Sequence, residues 1–225
     1  MANITIAFDV YGTLIDTGGV FDLLQKKVGD KTAAFMETWR SKQLEYSFRR
    51  GLMQNYVDFS VCTLNALDFT CSQQNCILSE EDKNELMLQY TILPAFYDVE
   101  ESLMKLKAAN CRLFAFSNGS ATAVQNLLQN AGIDHFFEGV VSVEAVETFK
   151  PDPAVYDYFL EKTNTAKANA WLISGNPFDV IGSVAAGFKS VWVQRNPTSI
   201  FDPWEIQPTK IIREFKELIN VLDLE

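Results

Sequence analysis

One histidine, His135, and four cysteines in 225 residues leave little material for several common site chemistries. A Ser-His-Asp hydrolase needs its histidine near a nucleophile elbow. No G-x-S-x-G occurs, and His135, beside Phe136-Phe137, reads as a helix-end residue. Cys62, Cys71, Cys76 and Cys111 form no C-x-x-C pair, and there is no H-E-x-x-H, so no zinc site is expected. The cysteines read as small buried apolar residues in a reducing cytosol. G-x-x-x-x-G-K-[ST] and G-x-G-x-x-G are both missing, so nucleotide and dinucleotide binding lack their usual loop. No stretch approaches the roughly 20 apolar residues of a membrane span. The chain runs into Ile4-Thr5-Ile6-Ala7-Phe8 without a basic region or cleavage site, and a cytoplasmic protein is expected. Positive charge is also scarce: 19 Lys and Arg stand against 29 Asp and Glu, a formal net charge of -10. That balance disfavours nucleic acid and anionic membranes as partners. A small anionic substrate is repelled too, unless a few Lys or Arg side chains reverse the field locally.

What is present is an ordinary globular composition, 48% hydrophobic and 21% charged, enough for one large domain or a core with a small insertion. Residues 4–9 form an apolar run with β-branched residues that ends at Asp9, and Tyr11-Gly12-Thr13 then turns the chain. Similar runs occupy Cys111–Phe116, Gly139–Val143, Ala170–Ile173 and Ser190–Gln194. Continuous apolar strands belong to a parallel sheet covered on both faces. Helical spacing separates them over Glu100–Ala109, Ala121–Ala131, Ala154–Lys162 and Val180–Ala186. The alternation predicts an α/β, doubly wound, Rossmann-like sheet. Residues 17–95 break it with three amphipathic stretches, Phe35–Tyr46, Tyr56–Leu67 and Glu80–Tyr90, before Leu93-Pro94 marks a return to the core. The expected organisation is a core of residues 1–15 and 96–225 with a helical cap of residues 16–95 inserted after the first strand. A last helix is expected near Lys210–Val221.

In such sheets ligands bind beyond the carboxyl ends of the strands. The first strand ends at Asp9, the second at Ser117-Asn118, and the third is followed by Lys150-Pro151. The fourth ends in Ser174-Gly175-Asn176-Pro177-Phe178-Asp179. Singly, each cluster has an ordinary explanation as turn, cap or solvated loop. Together, in this order, they resemble the haloacid dehalogenase superfamily through D-x-Y-G-T, S-N-G, K-P and S-x-N-x-x-D. Within it they are most similar to the L-2-haloacid dehalogenases. The likeness covers nearly the whole chain, including Trp39-Arg40-Ser41-Lys42-Gln43-Leu44-Glu45-Tyr46-Ser47.

The superfamily is mostly Mg²⁺-dependent phosphatases, and two positions oppose that reading. The resemblance implies a second Asp two residues after a phosphatase nucleophile, where this chain has Tyr11. It also implies a metal-ligand acid four residues before Asp179, where this chain has Gly175. The expected reaction is therefore metal-free and without cofactor: hydrolysis of a short (S)-2-haloacid to the (R)-2-hydroxy acid. Asp9 is the carboxylate nucleophile that forms an ester. Lys150 keeps Asp9 ionised. Arg40, from the cap, binds the substrate carboxylate or the departing halide through its donor fork. Arg40 and Lys150 are thus the local reversal of field. Ser117, Asn118 and the backbone N–H groups of Val10 and Tyr11 are expected to hold the carboxylate. Asp179 is expected to activate water, fixed by Asn176 and Ser174. Thr13 orients Asp9. Tyr156 is expected as a supporting tyrosine bonded to Asp9 or Lys150. Tyr11, Leu44, Phe59 and Phe178 form an apolar wall around alkyl group and halogen. At Gly175, where the dehalogenases often have Ser, a missing hydroxyl is expected to weaken a bond without abolishing the chemistry. The alternatives are a Mg²⁺-dependent phosphatase of a small phosphometabolite and an inactive binding protein of the same fold. A homodimer is expected.

Overall fold

A computed structural model describes residues 4–224; residues 1–3 and 225, the outer ends of the expected core segments, lie outside it. Its centre is a six-stranded sheet of order β3-β2-β1-β4-β5-β6, with every pairing parallel. The strands are β1 (Thr5–Asp9), β2 (Arg112–Ser117), β3 (Gly139–Ser142), β4 (Ala170–Ser174), β5 (Lys189–Val193) and β6 (Lys210–Ile212). Each residue of β1 is buried. Its side chains alternate between two cores, as the pleat requires. Ile6 and Phe8 pack with Val99 and Leu103 of α5 (Val99–Ala108), Leu127 of α6 (Ala121–Asn130) and Leu218 of α9 (Leu218–Val221). Ala7 faces Val155 and Phe159 of α7 (Pro153–Thr163). Full burial of a side chain such as Phe8 contributes about 1.5–3 kcal/mol. These helices thereby cover both faces of the sheet.

The order reverses at β1, which lies between β2 and β4. The register sets Asp9 opposite Phe116 and Phe8 opposite Ile173. Asp9 and the residues just past Phe116 and Ile173 therefore reach the carboxyl edge together, at the switch point where such sheets bind ligands.

Four helices lie between β1 and that return: α1 (Phe21–Val28), α2 (Thr32–Leu52), α3 (Phe59–Gln74) and α4 (Glu80–Gln89). They share a separate core that includes Leu24, Phe35, Trp39, Leu67 and Leu86. The Trp39 indole N–H donates to the Thr63 carbonyl at 2.9 Å, which pins α2 to α3. A reciprocal Ser79–Asp82 capping box starts α4, a device worth about 1 kcal/mol. The chain leaves and re-enters the sheet at one place, where Asp16 N–H donates to Pro94 O and Phe96 N–H to Leu14 O, both at 2.9 Å. Among the described residues no helix is long and apolar enough to cross a membrane.

Two local expectations change. The helix expected near Lys210–Val221 is instead β6, a 3-10 turn, and the short α9. Residues 210–212 complete the edge of β5, and Ile212 is buried there. That pairing outweighs the local helical pattern. Helix α1 was not anticipated; it spans only 8 residues and lacks a side-chain N-cap.

Candidate active site

The turn after β1 is built around one carbonyl. Val10 O accepts the N–H groups of Thr13, Leu14 and Ile15 at 2.9–3.3 Å. Gly12 sits at φ +80, a left-handed conformation that residues with a Cβ rarely adopt. The turn brings Thr13 back over the strand end, and its hydroxyl donates to Asp9 Oδ2 at 2.7 Å.

The end of β4 meets this turn. Ser174 Oγ donates to Asp9 Oδ2 at 3.3 Å, and Asn176 Nδ2 donates to the same oxygen at 2.7 Å. Asn176 also bonds the Tyr11 carbonyl at 3.1 Å, so its amide plane is fixed. Asp9 Oδ2 thus takes three side-chain donors. Ser174 and Asn176 were expected to hold Asp179; both are turned to Asp9, because the parallel register brings the end of β4 alongside Asp9. Gly175 N–H donates to Thr13 Oγ1 at 2.8 Å. A Cβ at residue 175 would stand 2.6 Å from the Gly12 carbonyl oxygen. The close approach of the two loops, rather than a missing hydroxyl, is what Gly175 supplies.

Lys150 is 1% exposed. Its Nζ reaches Asp179 Oδ2 and Phe116 O at 2.8 Å each, and Asp9 Oδ1 at 3.3 Å. Three acceptors match the three ammonium donors. Burying an ion costs several kcal/mol unless it is paired and bonded in this way. The Lys150 N–H donates to Asn118 Oδ1 at 3.0 Å, and Ser117 Oγ accepts Gly119 N–H at 3.1 Å. Both residues, expected as substrate ligands, hold loop backbone. Asp179, on α8 (Pro177–Ala185), is fully buried. Burial pushes its carboxyl above the usual range, while Lys150 and the Tyr156 hydrogen bond oppose the shift. Tyr156 donates to Asp179 Oδ1 at 2.8 Å. This corrects the expectation that it bonds Asp9 or Lys150. Burial drives its phenol well above the usual value, so it stays a donor. Gly182, which the sequence did not single out, makes room: a Cβ there would stand 2.5 Å from the Tyr156 hydroxyl.

The inserted helices supply the other wall. Arg40 Nη2 donates to Asn176 Oδ1 at 3.3 Å and Nη1 to Gln43 Oε1 at 3.4 Å. Leu44 lies half-buried one turn further along α2. The Tyr11 and Phe59 rings are 6.4 Å apart. Burial, then Tyr90 and Asp58, push the Tyr11 phenol up to about 12, with Arg40 opposing. Tyr11 is therefore neutral at neutral pH and is no carboxylate substitute. Phe178 stands apart from this group. It packs on Phe48 at 5.1 Å and lines a cavity of about 580 Å³ with Leu52, Phe149, Pro151 and Trp204. None of the groups bonded to Asp9 lines that cavity, because the first turn of α8 directs residue 178 toward the far end of α2. Among the described residues, no group of three or more His, Cys, Asp or Glu could hold a metal ion.

A family described as "Haloacid dehalogenase-like hydrolase" matches residues 6–193. The chain belongs to this family. Among its relatives, an (S)-2-haloacid dehalogenase of Pseudomonas putida is 34% identical over 223 residues, covering 99% of this chain and 98% of that protein. A haloacetate dehalogenase H-2 of Moraxella sp. (strain B) is 35% identical over 190 residues, 84% of this chain and 85% of the relative. The structure of the L-2-haloacid dehalogenase from Xanthobacter autotrophicus with chloropropionic acid covalently bound has a TM-score of 0.90 at 27% identity, covering 99% of both chains. In this haloacid dehalogenase-like hydrolase, sequence reasoning gives no role to Gln43, which bonds Arg40, to Gly182, which makes room for Tyr156, or to Arg195, whose Nη2 donates to the Thr13 carbonyl at 3.0 Å. Arg195 just beyond β5 carried a readable signal, being polar at a fifth strand end.

Proposed function

We propose that this hydrolase converts short (S)-2-haloalkanoic acids to (R)-2-hydroxy acids through an ester on Asp9. One observation carries the reading: the two oxygens of Asp9 are unequal. Oδ2 takes three side-chain donors, Thr13, Ser174 and Asn176, whereas Oδ1 takes one, Lys150, at 3.3 Å. Oδ1 is then the attacking atom. It bonds to C2 from behind the carbon–halogen bond, halide leaves with the bonding pair, and C2 inverts. Water next attacks the Asp9 carbonyl carbon, and Asp179 receives the proton. Charge returns to Oδ2 in the tetrahedral intermediate, where the three donors act as an oxyanion hole. Collapse breaks the Cγ–Oδ1 bond; the departing alkoxide takes one of the two water protons and leaves as the hydroxy acid with the original Oδ1, the other proton passes from the site to solvent, and the Asp9 and Asp179 carboxylates are restored.

Arg40 is proposed to bind the substrate carboxylate or the departing halide, with the Val10 and Tyr11 N–H groups holding the carboxylate. Tyr11, Leu44 and Phe59 bound the alkyl group. Neither step requires a metal: Lys150 pairs with both Asp9 and Asp179, and the electrophile is a carbon without phosphate charge to shield. The names of the relatives support the same substrate class. We divide the chain as a cap of residues 16–95 on a core of residues 1–15 and 96–225. A homodimer, the commonest closed assembly, and a cytoplasmic setting, which the four free cysteines favour, complete the reading. The test is halide release from (S)- and (R)-2-chloropropionate with EDTA present. The expected result is release from the S isomer alone. Loss of activity with EDTA contradicts the metal-free route.

A further inference from the structure

The Thr13 backbone carbonyl is held by a side chain that the mechanism above does not use. Arg195 lies two residues beyond β5, and its Nη2 donates to the Thr13 carbonyl at 3.0 Å. Its Nη1 pairs with Asp98 Oδ1 at 2.7 Å. The guanidinium carbon lies 4.0 Å from the Phe96 ring centre and 4.7 Å from that of Phe215. The Asp98 side chain is only 5% exposed, and its Oδ2 takes the Phe215 N–H at 2.8 Å. Arg195 is thus fixed in position by an ion pair and two rings, and one arm of its fork reaches the catalytic turn. Thr13 sits in that turn between Gly175 N–H, which it accepts, and Asp9 Oδ2, to which it donates.

We propose that Arg195 is a positioning residue for the Thr13 hydroxyl and that it serves hydrolysis of the Asp9 ester more than its formation. This rests on the dehalogenase reading. The asymmetry follows from where charge goes. Ester formation removes charge from the Asp9 carboxylate, so a donor on Oδ2 does little to speed it. Ester hydrolysis returns charge to Oδ2, so a displaced Thr13 hydroxyl slows that step. A lysine keeps the charge but not the planar fork that bridges Asp98 and the Thr13 carbonyl.

The test compares wild type, Arg195→Lys, Thr13→Val and the double variant with (S)-2-chloropropionate. Rapid quench gives the halide burst, and intact-protein mass gives the fraction of Asp9 ester. For Arg195→Lys the account expects kcat to fall on the order of tenfold, a preserved halide burst, and ester accumulating in the steady state. In the Thr13→Val background, Arg195→Lys should then have little further effect, because both act through one hydroxyl. Multiplying losses in the double variant, or no rise in ester, would overturn the role. If Arg195→Lys does not fold, Asp98→Asn leaves the guanidinium in place but loosens its anchor. It should show the same ester accumulation to a lesser degree, and its absence overturns the role equally. Wild type that releases no halide from any short 2-haloacid overturns the dehalogenase reading itself, an outcome distinct from wild-type turnover with an unchanged ester fraction in the variants.

Discussion

The Tyr156 hydroxyl donates to the Asp179 carboxylate at 2.8 Å and, with Lys150, favours its ionised form against burial. Burial raises the Asp179 carboxyl above its ordinary range. A native pKa above the unfolded one stabilises the fold below the unfolded pKa, and that contribution is lost as pH rises through the native value. Proton acceptance needs the ionised form, so kcat rises with pH through a limb above the usual carboxylate range. Tyr156→Phe removes a donor to that ionised form. Its limb should move to higher pH, with kcat below it falling about tenfold or more, given about 1.5–3 kcal/mol for a bond to a charged group. A pH–rate profile of both proteins checks this; an unmoved limb detaches Asp179 from the proton step.

Gly175 gives a prediction about stability. A Cβ there meets the Gly12 carbonyl at 2.6 Å, and backbone cannot yield as a side-chain tip can. Gly175→Ser should lower unfolding free energy by about 1–3 kcal/mol, the usual cost of overpacking. It should also lower kcat, because Gly175 N–H holds the Thr13 hydroxyl. Thermal and urea unfolding measure the first effect. Unchanged stability would show that the two loops separate freely.

Arg40 separates two roles for one guanidinium. Arg40→Lys keeps the charge and loses the fork. If Arg40 binds the substrate carboxylate in ground and transition states alike, KM rises about tenfold or more while kcat changes little. If it receives the departing halide, kcat falls instead and KM holds. Steady-state kinetics with (S)-2-chloropropionate decides between them.

The parallel sheet and the convergence of Asp9, Lys150, Asn176 and Asp179 were legible because buried strands write themselves as apolar runs and because all such runs end on one edge. Directions of side chains were not. Nothing local tells Asn176 to turn toward Asp9, Asn118 toward the Lys150 backbone, or Phe178 toward Phe48; these depend on neighbours far along the chain. Likewise, β6 exists because β5 offers it an edge, while residues 210–221 alone suggest a helix. Gly182 could be valued only once Tyr156 was seen beside it.

The central claim is that Asp9 itself carries the ester and that water attacks its carbonyl carbon. A single turnover in ¹⁸O-water, with enzyme in excess over (S)-2-chloropropionate, tests this most directly. The account predicts one ¹⁸O in the peptide that contains Asp9 and none in the 2-hydroxypropionate. Label in the product, with Asp9 unlabelled, would mean that water attacks the substrate carbon and that Asp9 is not the nucleophile.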